Sequence, residues 1–574
     1  MITNRIKAIY STHAFSTYWV FSMCLIIVCH TLLIPPHFDD LFCVWKVIMG
    51  ESQTYTRNYN YSNDLLLLQY VFQWLYAWRP DFSWLPGFFI ISGVFSFLCI
   101  QLGVLFFMNK RGYSLITSIY VNVFLFFIYE PNLSLVHHNR TAFIISSAGL
   151  FWYFLCSTDL LVDKSVKFLR YMALLWFIIG LLCRPEASIA ALVVFSPLTF
   201  LNGKIDFFHG FKSFVAPASF VGIFLLYYFY QITFSTAFYY QLEPNVEYAI
   251  MDRQQVVSLS DMNSRIDSAR HMASTRWMLG DVKQTSPSFL RRVISEDDLS
   301  NTLFFLLPPK RSVTVIYQVI NELFEILSGY VHILLLLIWL ILMPFFQPAV
   351  QRRMVLLFIF LLALILLVFS INIRTYPRVV EPFIFCVSVS MVAYYIMVGS
   401  PVKTSLKSIV LGSVLLILGT PFLSQEWQSR MVKAIKASKD EIQLRENIQN
   451  HIVNETNRHF VAVLGNWDVF NTGLFMPFTG FGNKTLLLIE LGQYSANPEF
   501  LETINNRTGC QGYDFTCRID FLKRNRKDII FVATPQRVDL YRQYMQMMYD
   551  FDFDIRSSKK TLLSRETYAW FPTD

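Results

Sequence analysis

A run of roughly twenty apolar residues is what a helix needs to cross the hydrocarbon core of a bilayer, and such runs recur along this chain from near its start to residue 423. They fall at 17–34, 86–108, 113–129, 141–162, 171–183, 187–201, 213–234, 329–347, 354–373, 379–399 and 409–423, which makes about eleven expected spans. The connections Lys110-Arg111, Asp163 to Arg170, Lys204 to Lys212, Arg352-Arg353 and Lys403 to Lys407 all carry basic residues and share one phase of the count. Short cytoplasmic loops concentrate Lys and Arg, so these loops mark the inner face. The count is most exposed at Arg184-Pro185-Glu186, because a single broken helix over 171–201 would invert everything after it.

Composition agrees. Hydrophobic residues make up 54% of the chain and charged residues only 15%, well outside the soluble average, so the expected class is a polytopic α-helical membrane protein. The net charge of +8 does not mark a nucleic-acid binder, since the basic residues sit in short loops between apolar runs. Arg5 and Lys7 precede an apolar run long enough to span and without a small-residue cleavage site, so the first helix is expected to remain. Seven of the nine cysteines lie in or beside apolar runs and read as buried thiols. Cys510 and Cys517 stand apart in a polar stretch, where a disulfide is expected if that stretch is extracytoplasmic.

An odd number of spans sends the chain after Gln425 to the outer side, and residues 425–574 have a soluble composition. Apolar runs at Phe460 to Leu464, Thr485 to Leu491 and Asp528 to Ala533 alternate with helical patterns at Asn497 to Ile504 and Pro535 to Met548. That alternation predicts a small extracytoplasmic α/β domain after a membrane domain of residues 1–424. Two long loops, 37–85 and 236–329, also fall outside. The first holds an aromatic run from Leu65 to Tyr76, too short to span and suited to an interfacial helix. The second carries Arg265, Arg270, His271, Arg276, Arg291 and Arg292, and reads either as cover over a substrate groove or as a solvated link. All six N-x-S/T sequons fall on the outer side. There is no internal repeat, P-loop, dinucleotide fingerprint or zinc spacing.

The chemistry-bearing residues gather where spans meet the outer loops. Asp39 and Asp40 follow the first span directly, in Ile34-Pro35-Pro36-His37-Phe38-Asp39-Asp40. A carboxylate near hydrocarbon is costly unless it meets water, a cation or a reacting proton; the plainer alternative is an N-cap on a short helix from Leu41 to Met49. At the same expected level lie Glu130, His137-His138-Asn139-Arg140, Arg184-Pro185-Glu186, and Arg374 and Arg378 with Glu381. Arginine in short outer loops runs against the positive-inside rule, so these side chains ask for an anionic partner. A phosphate suits the guanidinium fork, and structural ion pairs with Glu130, Glu186, Glu381 or the two aspartates serve equally.

On these residues, roughly the first 425 positions resemble the C-type (GT-C) integral-membrane glycosyltransferases. The Asp39-Asp40 pair, the interfacial helix in the same loop, the span count and the outer C-terminal domain carry the likeness. It implies transfer of a sugar from a polyprenyl phosphate or diphosphate carrier to a glycan, lipid or protein acceptor on the extracytoplasmic face. Asp39 would then be the general base, and Asp40 would orient the acceptor or, with Asp39, hold a divalent cation, Mg or Mn. Arg184, Arg374 and Arg378 would bind the donor phosphate. Glu130, His137, His138, Arg140 and Glu186 would contact acceptor or donor. A bacterial inner membrane with a periplasmic site is the expected setting, with an ER membrane as the alternative. Two other functions compete: an O-antigen ligase or polymerase, with Arg270 and His271 central, and a lipid-linked-sugar transporter. The last would place ionisable groups near the midplane of repeated, discontinuous helices.

Overall fold

The computed structural model describes residues 37–38, 68–79, 84–113, 115–129, 135–157, 164–200, 207–234, 377–398, 443, 446–463, 484–488, 506, 508–510, 515–535, 538–539, 542, 559–563 and 567–572. The chain forms two compact units. One comprises Met1–Phe38, Pro86–Gly222 and Ile320–Ser438; the other brings together Asp39–Leu85, Ile223–Val319 and Lys439–Asp574. The expected spans at 17–34, 329–347, 354–373 and 409–423 lie outside the described residues, as does the helical pattern at Asn497 to Ile504.

The first unit is helical. Helix α1, Leu68–Trp78, precedes it in the chain and belongs to the second unit. Then come α2 (Trp84–Lys110), α3 (Leu115–Tyr129), α4 (His138–Cys156), α5 (Lys164–Cys183), α6 (Pro185–Phe195), the single turn α7 (Pro197–Phe200), α8 (Phe207–Phe234) and α9 (Pro377–Val398). Gly87–Lys110 and Val166–Cys183 are long and apolar enough to cross a membrane; Thr117–Phe126, Pro185–Phe195, Phe214–Tyr227 and Glu381–Met397 are shorter apolar segments. These helices are apolar outside as well as inside. Ile91 and Phe95 on α2, Tyr171, Met172 and Leu175 on α5, and Ile223 and Leu226 on α8 are all exposed. A helix apolar around its whole circumference suits a lipid boundary rather than water.

Small residues let α4 and α5 touch backbone to backbone. A Cβ on Gly149 would lie 2.6 Å from the Phe177 nitrogen and 2.8 Å from the Ala173 carbonyl oxygen, and one on Gly180 would meet Ser146 and the Ala142 carbonyl. Helices in lipid have little hydrophobic drive to associate, so close approach over small residues supplies the packing. These contacts also set an antiparallel register, continued at the far end by the Arg170 guanidinium, which donates to the Tyr153 hydroxyl at 2.8 Å and lies over its ring.

The break at Arg184 separates two helices of opposite direction. Arg184 N–H closes α5 on the Gly180 carbonyl, while the Arg184 carbonyl opens α6 by accepting from Ser188 N–H. Ser146 of α4 meets Ser188 of α6 at 2.7 Å, and Phe154 of α4 stacks on Phe195 of α6. The paired contacts advance together, so α6 runs parallel to α4 and against α5. Helix α9 is parallel to α4 too, through Arg140 with Glu381 and Phe143 with Phe383. Its far end receives Arg111, which follows α2 and donates to the Met397 carbonyl.

Helix boundaries depart from expectation at two basic stretches. Lys164 to Arg170, expected in a loop, form the first turns of α5, and α8 starts at Phe207 instead of after Lys212. The physical reason is visible at Arg170, where a long stem lets the charge reach Tyr153 while the backbone continues as helix.

In the second unit the C-terminal segment forms a mixed five-stranded sheet of order β4-β3-β5-β7-β6. Strands β3 (Phe460–Val463), β4 (Thr485–Leu488) and β5 (Ile529–Ala533) are mutually parallel where they pair, and the hairpin of β6 (Lys559–Leu562) and β7 (Tyr568–Phe571) adds antiparallel to β5. The first three strands were legible as apolar runs; the hairpin and helix α10 (Phe515–Arg524) were not. Arg458 ties the sheet edge by donating to the carbonyls of Ile529 (2.8 Å) and Pro572 (2.7 Å), and burial lowers its pKa from the ordinary arginine value. Lys484 caps the Glu455 and Arg458 carbonyls and is likewise lowered, by burial first. Cys510 and Cys517 are joined, with Cα atoms 5.7 Å apart, tethering the turn at Gly509 to the first turn of α10.

Two outcomes follow for stability. Gly149→Ala should destabilise the detergent-purified protein by about 1–3 kcal/mol and melt below Gly180→Ala, because its new methyl meets backbone atoms within 2.8 Å, whereas the nearest atom to a Gly180 methyl is a serine hydroxyl and the backbone lies beyond 3 Å; equal melting temperatures would contradict the packing. Native-membrane protein alkylated without reduction should show Cys510 and Cys517 protected, and their loss should cost roughly 2.5 kcal/mol on a chain-entropy estimate.

Candidate functional site

A two-residue parallel pairing joins His37 and Phe38 to the residues just before α4. Strand β1, His37–Phe38, runs beside β2, Leu135–Val136, with His37 opposite Leu135 and Phe38 opposite Val136. The next residue after β2 is His137, the N-cap of α4. Its extended backbone (φ −147°, ψ 141°) turns the chain into the helix, and its Nδ1 accepts the Asn139 backbone N–H at 3.1 Å. Satisfying one of the orphan donors of a helix N-terminus is ordinarily a task for Ser, Thr, Asp or Asn. An imidazole doing so with Nδ1 carries its proton on Nε2 when neutral. His137 and His138 are both buried, with ring centroids 3.9 Å apart.

One turn into α4, Arg140 forms an ion pair with Glu381 of α9, their side chains only 4% and 2% exposed. Glu381 lies one turn after Arg378, which is in the first turn of α9 beside Pro377. At the α5–α6 junction, Arg184 Nε lies 3.0 Å from Glu186 Oε2, with side-chain exposures of 22% and 50%. Glu186 stands in the first turn of α6, where a carboxylate also complements the helix dipole. The α4–α5 register established by Gly149 and Gly180, continued one turn, sets Arg184 level with Arg140. Thus His137, His138, Arg140, Arg184, Glu186, Glu381 and the backbone of Arg378 occupy one end of the bundle. Arg111 and Arg170 occupy the other.

The arginines differ in what they can do. Arg140 is paired with Glu381 and sealed from solvent, an ion pair of the kind the sequence set beside a ligand role. Arg184 is half-open, and its exposed pair with Glu186 is of a kind worth only about 0–1 kcal/mol, weak enough for a phosphate to compete. Asp39, Asp40, Glu130 and Arg374 lie outside the described residues, as do Arg270 and His271. Among the described residues no cluster of three or more His, Cys, Asp or Glu is gathered to hold a metal ion. Sequence reasoning did not anticipate the Ser146–Ser188 contact that seats α6 beside this end of the bundle; small hydroxyl residues in apolar helices were its only signal.

His137→Asn should keep the cap, since the Asn oxygen accepts the same N–H, whereas His137→Ala should destabilise by about 1 kcal/mol. Melting curves of the two variants in detergent check this; equal loss in both would mean the imidazole has another structural task.

The sequence matches no protein-family model and no curated protein. Among solved structures it is similar to ArnT from Cupriavidus metallidurans bound to undecaprenyl phosphate, at 10% identity over 98% of this chain and 99% of that one, with a TM-score of 0.42. It is also similar to ArnT from the same organism in the apo state, at 11% identity over 97% and 98% of the two chains, with a TM-score of 0.41. Identity and score at this level leave the chemistry to be argued from this chain's own residues.

Proposed function

We propose that this chain is an integral-membrane glycosyltransferase of the GT-C kind, transferring a sugar from a polyprenyl phosphate or diphosphate carrier to an acceptor hydroxyl at the extracytoplasmic membrane face. The observation that carries the reading is the β1–β2 pairing. Asp39 is the residue after Phe38 and His137 the residue after Val136. Consecutive Cα atoms are about 3.8 Å apart, so the chain entering the aspartate pair is tethered beside the mouth of α4. The same end of the bundle carries Arg184 and the start of α9 with Arg378. A carboxylate pair and cationic groups at one membrane edge are what sugar transfer from a lipid phosphate requires.

In this scheme Asp39 takes the acceptor hydroxyl proton as the oxygen attacks the anomeric carbon, while the bond from that carbon to the phosphate oxygen breaks. The electron pair leaves with the polyprenyl phosphate, which needs cations and no general acid. Arg184, Arg374 and Arg378 supply them. His137, His138 and Glu130 belong to the acceptor and donor set in this reading. Asp40 orients the acceptor; a divalent cation, where the reaction uses one, falls to Asp39 and Asp40. Helix α1 supports a membrane-edge site: Val71, Trp74 and Trp78 are exposed along one face, and Trp78 stacks on Trp84, shortly before the apolar stretch beginning at Gly87. Tryptophan favours that boundary.

Asp39→Asn should remain folded and bind the lipid-linked donor, yet transfer sugar about a hundredfold to ten-thousandfold more slowly. Asp40→Asn should also slow turnover. Product formation by the purified variants, with donor binding and melting temperature taken on the same preparations, checks this. Near-normal transfer by both would move the chemistry to Arg270 and His271 and favour a ligase or polymerase.

A further inference from the structure

Two cations stand together at the end of the bundle away from the candidate site. Lys110 is the last residue of α2 and Arg111 the first after it, on the inner face by the phase of the basic loops. Arg140 and Arg184 each face a glutamate, whereas among the described residues neither Lys110 nor Arg111 forms an ion pair. Lys110 is exposed, its ammonium over the Phe106 ring at 5.9 Å from the centroid. Arg111 reaches α9, where its Nη2 donates to the Met397 carbonyl, one of the acceptors that the last turn of a helix leaves unmet.

The rest of that corner is short of acceptors. Arg111 Nε is buried with no hydrogen-bond partner among the described residues, and so is the hydroxyl of Tyr395, two residues before Met397 on α9. Tyr113 follows the turn at Gly112 (φ 81°) and stands within electrostatic reach of both Arg111 and Tyr395, which gathers these groups at one place. A buried donor without an acceptor is costly, more so when charged, and asks for a partner. A solvated basic loop accounts for the two charges but not for the unmet donors. Arg111, Tyr113 and Tyr395 are partly exposed and Lys110 and Gly112 exposed, so the corner lies at the surface of the bundle. A phosphate is the acceptor that fits. It bonds guanidinium, ammonium and phenol alike, balances the two cations as water does not, and is carried by phospholipid head groups at the depth where apolar helices end.

We propose that the corner between the end of α2 and the last turn of α9 binds the phosphate of an anionic phospholipid of the inner leaflet, with Lys110 and Arg111 supplying charge and Tyr395 a hydroxyl donor. The site is separate from the sugar transfer proposed at the opposite end and does not depend on it.

The test uses the purified full-length chain, stripped of lipid in detergent, with phosphatidylglycerol as probe; native mass spectrometry reads binding and a melting curve reads stability. Tyr395→Phe removes only a hydroxyl without a partner in the lipid-free chain, so it should melt with wild type yet bind the lipid at least threefold more weakly. Lys110→Gln with Arg111→Gln should weaken binding at least tenfold. Should loss of the Met397 bond abolish the melting transition, Lys110→Gln alone carries the charge arm, with a loss of at least threefold expected. Wild-type binding in Tyr395→Phe or in the charge variant would overturn the proposal. So would phosphatidylcholine bound by wild type as tightly as phosphatidylglycerol, or no binding of phosphatidylglycerol by wild type. Inorganic phosphate separates the other source: it should leave the wild-type melting temperature unchanged, and a rise that Tyr395→Phe abolishes would assign the corner to a free anion and overturn the lipid assignment.

Discussion

Hydrocarbon has no water to solvate a charge, and that constraint sorts every ionisable group of the described helical unit. Arg111 and Arg170 reach one end of the bundle, where a backbone carbonyl and a tyrosine hydroxyl receive them. His137, His138, Arg184 and Glu186 stand at the other. Arg140 and Glu381 stand at that end too but are sealed from solvent, and they are there as a pair. Between the two ends the helices are held by apolar packing and by serine hydroxyls bonded within or between helices, such as Ser96 to the Ser92 carbonyl and Ser390 to the Val194 carbonyl. Among these groups the charges therefore lie at the two ends of the bundle, or are paired where they are sealed from solvent.

Local backbone rules place Arg184 and His137 at their end of the bundle. Proline at 185 cannot donate to a carbonyl of the preceding turn, so α5 ends and the chain turns back, leaving Arg184 at the apex. The N-terminus of α4 is completed by an imidazole, which puts His137 where its orientation is set by the helix itself. The register of β1 with β2 sets His37 and Phe38 beside Leu135 and Val136, next to that cap. Two of these devices sit at helix N-termini, those of α4 and α6, where unsatisfied backbone N–H groups and the dipole favour anions.

How much of this could be read from residues alone varies with the kind of interaction. Hydropathy located α2, α3 and α9 to within two residues and overran the ends of α4 and α6 by six, because a long apolar run marks a helix better than it marks where the helix stops. It misjudged Lys164 to Arg170, since a sequence window prices each basic residue as exposed and cannot see a long side chain folding onto Tyr153. Strands β3, β4 and β5 stood out as buried apolar runs, whereas Lys559–Leu562 owes its strand to pairing with Tyr568–Phe571, a neighbour that composition does not reveal. At the site, the residue types Arg, His and Glu were legible, and so was the choice between ion pair and ligand. Only burial separates the cases: Arg140 is sealed with Glu381, while Arg184 keeps an exposed partner. Asp39, Asp40, Glu130 and Arg374 lie outside the described residues, and their roles rest on sequence and on the tether at Phe38.

The central claim is that the chain consumes a polyprenyl-linked sugar at the outer face, and the pool of that donor reports on it most directly. Lipid extracts from cells with and without the protein, resolved by mass spectrometry, should differ by accumulation of one polyprenyl-phosphate or diphosphate sugar when the protein is absent, reversed by the wild-type chain and not by Asp39→Asn. Identical lipid-linked sugar pools in all three strains, with the wild-type chain expressed and membrane-inserted, would contradict the account.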